Sequence, residues 1–152
     1  MWSAWRRRKQ SWATTIHLRG GVLLKHLVEV GLHSNAMENK KFFYFTTCGW
    51  MMWNWLVSSL MLNSTVCLYD GSPFYPNSDI LWKYAEEESF NFFGTSAKYI
   101  DALSKFKNKV SEKFLLKSLE TIGSTGSPLV HESFDYVYNH IKKDVHLASL
   151  SG

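Results

Sequence analysis

Hydrophobic and polar positions alternate along the chain in short blocks, which is typical of strands and helices in turn. Five short apolar or β-branched runs predict strands: FFYF at 42–45, VCLY at 66–69, FNFFG at 90–94, SLETIGS at 118–124 and VHLASL at 145–150. Between them lie longer segments with helical spacing. The pattern therefore predicts a protein in which strands and helices follow one another.

The helices are predicted from apolar residues three and four positions apart. The first covers Gly21 to Gly31, with Gly31 as its terminator, and the second is the Trp-rich stretch WMMWNWLVSSLML. A third helix begins after Ser78 or Asp79, either of which is a suitable cap. A fourth precedes a basic, helical connection over 105–117, and a fifth covers His131 to Ile141. Residues expected to face inward are Leu23, Leu27, Val30, Ile80, Leu81, Tyr84, Ala85, Tyr99, Ile100, Leu103, Phe106, Phe134, Val137, Tyr138 and Ile141.

Alternating strands and helices indicate an α/β fold with a mostly parallel sheet flanked by helices. In such sheets, ligands bind in the loops that follow the carboxyl ends of the strands. In this chain those loops are TTCGW, YDGSPFYP, FGTSA, GSTGSPL and the terminal LSG. They hold the Gly- and Ser-rich turns of the body, so we expect the functional site at this edge.

The stretch from Phe42 to Tyr69 contains no charged residue and is long enough to cross a bilayer. However, polar, turn-forming residues interrupt the apolar run twice, at TTCG and at NST, and no basic cluster flanks the stretch. We therefore predict a strand, a helix and a strand here, and no membrane span. The basic start of the chain is followed by polar residues, which argues against a secretory signal.

The composition agrees with the predicted α/β fold, and the charge is unevenly distributed along the chain. Its 152 residues are 45% hydrophobic and 16% aromatic, enough for one domain with a substantial core. Net charge is +4, yet six bases and no acid precede Glu29, so the rest of the chain is slightly acidic. Residues 1–15 are a basic leader, interpreted as unstructured, a presequence or a basic patch. The body has no electrostatic support for nucleic-acid binding.

Cysteine and histidine give no sign of a metal site. Cys48 and Cys67 lie in apolar runs and are expected to be reduced core thiols in the cytosol. His26 and His33 are two helical turns apart, too far to share one ion. The sequence predicts no metal ligands.

Several motifs in a fixed order resemble a known family. They are TTCGWMMWNWLVSSL, YDGSPFYP, FNFFGTSAKYIDAL, GSTGSPL and LASLSG. Together they are similar to the adenylate-forming domain of the acetoacetyl-CoA synthetases (acetoacetate–CoA ligases), with GWMMWNW the most specific. The resemblance begins near Ile16-His17, runs through Gly20-Gly21 and covers residues 16–152. It makes this region a partial AMP-binding domain, a slice of a longer enzyme.

The resemblance implies an activity and a site. The family activates acetoacetate with ATP and Mg²⁺ as an acyl-adenylate, then transfers the acyl group to CoA. By motif, Gly126, Ser127 and Pro128 are the turn against which adenine lies. The acyl-pocket wall consists of Trp50, Met51 and Met52, with Thr125 facing them; ordinary core packing is the alternative role for the first three.

The chain also departs from the family pattern. Thr125-Gly126-Ser127-Pro128 imitates the end of the family's phosphate loop, but Leu129 stands where the loop's lysine would be. Ser127 replaces the acidic residue common in acetyl-CoA synthetases. RRRKQSWATT stands where the phosphate loop would lie, and no metal-binding acid or lid follows Gly152. These departures predict that the chain has no catalytic residues of its own and is inactive alone.

Two classes of function therefore remain. One is a cytosolic acetoacetate–CoA ligase whose partners are acetoacetate and nucleotide, with neither nucleic acid nor membrane as a partner. The other is a non-catalytic protein that retains part of the fold and binds nucleotide or a partner chain. In either case, exposed sheet edges rich in aromatic residues are expected to promote oligomers or aggregation.

Overall fold

The structure, a computed structural model, describes residues 20–150 and confirms the α/β prediction. The basic leader, Ile16-His17 and the final Ser151-Gly152 lie outside the described residues. The strands are β1 Lys41–Tyr44, β2 Thr65–Cys67, β3 Phe92–Ser96, β4 Thr121–Thr125 and β5 His146–Ser149. They form one sheet in the order β2-β1-β3-β4-β5, with every neighbouring pair parallel.

Residues 20–150 contain five α-helices, of which the first precedes β1 and the other four connect successive strands. They are α1 Gly21–His26, α2 Met51–Val57, α3 Ile80–Glu87, α4 Ala97–Lys105 and α5 His131–His140. α1 continues as a π-helical segment, Leu27–His33, and α2 continues as a 3₁₀ turn, Ser58–Leu62. The charge-free stretch thus contains a strand, a helix and a strand, as predicted: β1 apart from its first residue Lys41, then α2 and β2. No helix in residues 20–150 is long and apolar enough to cross a membrane.

Side chains alternate between the two faces of the sheet, and each face has its own core. Phe43, Phe93 and Ile122 point toward α3, α4 and α5; we call this side the scaffold face. Phe42, Tyr44 and Phe92 point toward α1, α2 and their extensions; we call this side the site face. Helices therefore cover both faces, which is why the strands read as continuous apolar runs.

The prediction for the first helix was wrong in two respects. Helical structure passes Gly31 and ends at His33, because Gly31 serves packing rather than termination: a Cβ there would lie 3.1 Å from Leu62 Cδ1. Leu23, predicted to face inward, is half exposed, and the buried positions of this helix are His26 and Val30.

Two further inward positions were misplaced. Phe106 lies beyond the end of α4 and is exposed, with its ring edge-on to Phe74. Tyr138 is also exposed; Tyr136 is buried instead, and its hydroxyl donates to the Asn108 carbonyl at 2.6 Å.

Of the connection predicted as helical over 105–117, only Lys105, the last residue of α4, and one 3₁₀ turn, Val110–Glu112, are helical. Lys107 and Leu116 adopt positive φ angles of 53° and 45°, which interrupt any regular helix. Asp79 occupies the N-cap position of α3, as predicted, but its side chain makes no capping hydrogen bond. The Asp79 carboxylate accepts hydrogen bonds from Asn108 and Lys113 rather than from the helix backbone.

Candidate functional site

A cavity of about 550 Å³ opens at the carboxyl edge of the sheet, between the loops that follow β1 and β4. We call it the central cavity. Its lining includes every residue for which the sequence predicted a site role, together with Ser149 and Leu150: Trp50, Met51, Met52, Thr125, Gly126, Ser127 and Pro128. Parallel strands bring these two separated stretches together because both end at the same edge.

Trp50 stands at the start of α2 in an extended conformation, with φ −96° and ψ 145°. Its amide donates to the Thr47 carbonyl at 3.1 Å, and its carbonyl accepts from the Trp53 amide at 3.0 Å. The half-buried indole meets the ring of Tyr44 edge-on, with centroids 6.0 Å apart. The backbone is thus fixed, and the indole forms part of the cavity wall.

The two methionines differ in exposure. Met52 is 3% exposed and belongs to the core of the site face, whereas Met51 is 51% exposed. Both line the central cavity. Met52 therefore packs in the core and also lines the cavity, so both of its predicted roles, acyl-pocket wall and core residue, are compatible with its position. Met51 has no core role.

The opposite wall is a turn of backbone. Gly126 has a φ of +91°, a conformation that glycine adopts without strain. A Cβ placed there would lie 3.8 Å from Trp50 Cζ2. Ser127 and Pro128 are exposed beside it, and the Thr125 hydroxyl donates to the Leu150 carbonyl at 2.9 Å.

Among residues 20–150, none of the side chains that line the central cavity carries an ionisable group. These residues can bind and orient a ligand through apolar contact, hydroxyls and backbone groups, but they include no general acid or base. Residues 20–150 also contain no group of three His, Cys, Asp or Glu side chains that could hold a metal ion.

Two neighbouring cavities were not predicted from the sequence. The Tyr69 cavity, about 860 Å³, shares Trp50 with the central cavity and is lined by Tyr44, Ser96, Tyr69 and Asp70 among others. Cys48 also lines it and is exposed, contrary to the prediction of a core thiol, because it lies in the loop after β1. Cys67 is buried as predicted, and burial raises the pKa of its thiol.

The His26 cavity, about 600 Å³, lies between α1 and α2. His26 Nδ1 is 2.7 Å from the Ser58 hydroxyl, which itself donates to the Asn54 carbonyl, so Nδ1 carries the proton in this pair. Burial lowers the pKa of His26, and the nearby Glu29 opposes that shift. Glu29 accepts from Trp55 Nε1 at 3.2 Å and pairs with Lys25. In the sequence, only the helical spacing of Lys25, His26 and Glu29 indicated that these side chains could lie near one another.

The chain is similar to proteins of one kind, both in sequence and in structure. No family model matches the chain. Over 137 residues, 90% of this chain, it is 53% identical to the acetoacetyl-coenzyme A synthetase of Rhizobium meliloti and 44% identical to the acetoacetyl-CoA synthetase of Mus musculus. A solved acetoacetyl-CoA synthetase from Streptomyces lividans superimposes with a TM-score of 0.82 at 39% identity, over 88% of this chain and 21% of that one. The chain spans about a fifth of the length of these relatives.

Proposed function

From this homology to a segment of the acetoacetyl-CoA synthetases, we propose that residues 16–152 supply the acyl-binding and adenine-binding part of such an enzyme. The proposed reaction has two steps. Acetoacetate attacks the α-phosphate of ATP, giving acetoacetyl-adenylate and pyrophosphate, and the thiol of CoA then displaces AMP. The substrates of the proposed activity are therefore acetoacetate, ATP and CoA, and Mg²⁺ accompanies the ATP.

The proposal depends chiefly on one observation. Seven residues assigned from two separate motifs, 50–52 and 125–128, line the same cavity. Core packing alone gives no reason for an exposed methionine and a positive-φ glycine turn to lie on opposite walls of one cavity. The volume of about 550 Å³ falls within the range of small-molecule sites.

The chemistry of the two walls fits the two proposed ligands. The indole of Trp50 and the flexible thioethers of Met51 and Met52 suit a short, mostly apolar acyl chain. The Gly126 turn allows a planar base to approach the backbone closely. In the proposed division of work, these residues bind and orient the substrates so that the carboxylate and the α-phosphate meet.

The described residues do not fit every part of the reaction. The described lining of the central cavity has no cation for the phosphates, and residues 20–150 offer no metal-ligand group for Mg²⁺. We therefore assign no step of phosphate or metal chemistry to residues 20–150. We propose a cytosolic enzyme context, with no nucleic-acid partner, and association through the sheet edges at β2 and β5 as a secondary property.

The first test concerns the 152 residues by themselves. With acetoacetate, ATP and Mg²⁺ they are expected to release no pyrophosphate above a blank, because the described cavity lining offers no cation to the phosphates and losing one preorganised electrostatic contact costs about 10²–10³ in rate. Coupled pyrophosphate detection makes the measurement. Turnover by the chain alone would contradict the proposed division of work.

The second test restores a longer enzyme. Residues 16–152 replace the homologous segment of the Rhizobium meliloti acetoacetyl-CoA synthetase, and the chimera is assayed for acetoacetate-dependent formation of acetoacetyl-CoA. We expect activity, because the sequences are 53% identical over 137 residues. A folded chimera that binds ATP but does not use acetoacetate would instead favour a non-catalytic nucleotide-binding protein.

A further inference from the structure

Tyr44, at the end of β1, contacts the indole that forms one wall of the central cavity. It is 3% exposed, and its ring meets Trp50 edge-on with planes 81° apart. Its hydroxyl donates to the Thr95 carbonyl at 3.1 Å, which anchors the far end of the ring to β3. Burial raises the pKa of the phenol, so the group stays a neutral donor. Tyr44 is thus a fixed support for Trp50.

The space for this ring exists because residue 94 is glycine. Tyr44 and Gly94 are paired in register on β1 and β3, and a Cβ on Gly94 would lie 2.0 Å from Tyr44 Cδ2. The ring cannot yield easily, since its hydroxyl is anchored and its other neighbours are Trp55 and Phe92. Any side chain at position 94 would therefore displace Tyr44.

Trp50 lies between Tyr44 and the Gly126 turn, and it lines both the central cavity and the Tyr69 cavity. Its indole is thus a shared wall of the two spaces. If the support on the Tyr44 side is removed, the indole gains room to tilt away from the Gly126 turn. The central cavity then becomes longer.

We propose that Tyr44 is a positioning residue that limits the length of the acyl chain in the central cavity by holding Trp50 in place, and that Gly94 makes room for it. That the bound group is an acyl chain rests on the proposed function. The contact of Tyr44 with Trp50 does not depend on it. Tyr44 touches no reacting atom in this proposal, since it acts through Trp50.

The test uses the chimera with acetoacetate and its six-carbon homologue, 3-oxohexanoate. Tyr44→Leu is expected to raise the ratio of kcat/KM for the six-carbon acid to that for acetoacetate by about tenfold, the scale of discrimination that a hydrophobic pocket gives per methylene. The KM for ATP should stay within about twofold, whereas general damage would affect both substrates. Tyr44→Phe keeps the ring and should retain the parent ratio.

Tyr84→Leu is the matched control. Tyr84 also makes edge-to-face ring contacts and donates its hydroxyl to a carbonyl at 3.1 Å, but on the scaffold face. It should leave the chain-length ratio unchanged. An unchanged ratio in Tyr44→Leu, or an equal change in Tyr84→Leu, would overturn the proposal.

A second measurement separates this proposal from the proposed function. The 152-residue chain is labelled with 5-fluorotryptophan, and the signal of Trp50 is assigned with Trp50→Phe. Tyr44→Leu and Gly94→Ala should both shift this ¹⁹F signal, while Tyr84→Leu should not. If the parent chimera fails to use acetoacetate, the proposed function fails, and this signal still decides whether Tyr44 positions Trp50.

Discussion

The two faces of the sheet carry hydrophobic cores of different size. On the scaffold face, nineteen buried residues among those described form one core under α3, α4 and α5; on the site face, eight do so under α1 and α2. On the site face, α1 and its π-helical continuation also leave large apolar side chains exposed: Leu24 is 67% exposed and Leu32 is 80% exposed. Every candidate site residue on a helix belongs to this thinner side.

The difference shows where the stability and the binding capacity of the domain lie. The larger core of the scaffold face holds the strands in place. Because the carboxyl-edge loops begin at the ends of these strands, it also positions the loops. The thin face leaves open space between its helices and the sheet edge, which is where the central and His26 cavities are found. Sites require such incompletely filled space, so the face with the weaker core is the one suited to ligands.

The largest expected effect compares a buried tryptophan on each face. Trp82 is fully buried and stacks on Phe93 at 4.4 Å, so Trp82→Ala should lower the free energy of unfolding by about 4 kcal/mol. Trp55 borders the His26 cavity, and Trp55→Ala should cost about 3 kcal/mol because water can reach the space it leaves. Urea unfolding of both variants makes the measurement. An equal or greater loss in Trp55→Ala would contradict the contrast between the faces.

A polar cluster on the scaffold side provides the next test. Asn108 is buried; its amide donates to the Ser78 hydroxyl and the Asp79 carboxylate, and its oxygen accepts from Lys113. Asn108→Ala should cost about 1–3 kcal/mol by urea unfolding, because buried partners lose their hydrogen bonds. Asn77→Ala, at an exposed position of the preceding loop, is the control and should cost less than about 1 kcal/mol.

Acidification should weaken the site face selectively through His26. The pKa of His26 is lower in the folded chain than its usual 6.5, so the unfolded chain binds more protons and stability falls as pH falls. The loss begins below about pH 6.5 and grows until the folded histidine also titrates. Hydrogen exchange at pH 7.5 and 5.5 should show faster opening of α1 at the lower pH. His26→Gln should remove most of that difference; an unchanged pH response in this variant would exclude His26 as its cause.

The smallest effect on stability is expected at the exposed leucines. Leu24→Ser with Leu32→Ser should change the free energy of unfolding by less than about 0.5 kcal/mol, since neither side chain is in a core. The same pair should reduce oligomers in sedimentation velocity, because it breaks up exposed apolar surface. If oligomers persist, the open edges of β2 and β5 are the better explanation.

Sequence reasoning was most reliable for strands and for the edge where they end. Runs such as FFYF and FNFFG are apolar on both faces and admit few other interpretations, and parallel order follows from the alternation with helices. The same logic brought Trp50 and Thr125 to one edge. Their roles as acyl wall and neighbour stay predictions.

What the sequence did not predict depends on contacts between distant segments. Leu23 has the spacing of a core residue, yet no element within residues 20–150 buries it, and it is half exposed. The pattern predicts Gly31 as a helix terminator, whereas the close approach of Leu62 is what favours a small residue there. The interruption of the helix after Lys105 involves positive φ at Lys107 and Leu116, which composition does not reveal. The support of Trp50 by Tyr44 likewise requires knowing that β1 and β3 are neighbours.

Under the proposed function, the central cavity is the acyl and adenine site of an acetoacetate-activating enzyme. Steady-state kinetics of Trp50→Ala in the chimera tests it most directly. The KM for acetoacetate should rise about tenfold, because the acyl wall loses its ring, while the KM for ATP should change less than about twofold. Gly126→Val should show the reverse preference. Equal changes in both KM values for Trp50→Ala would contradict the claim and make Trp50 a scaffold residue.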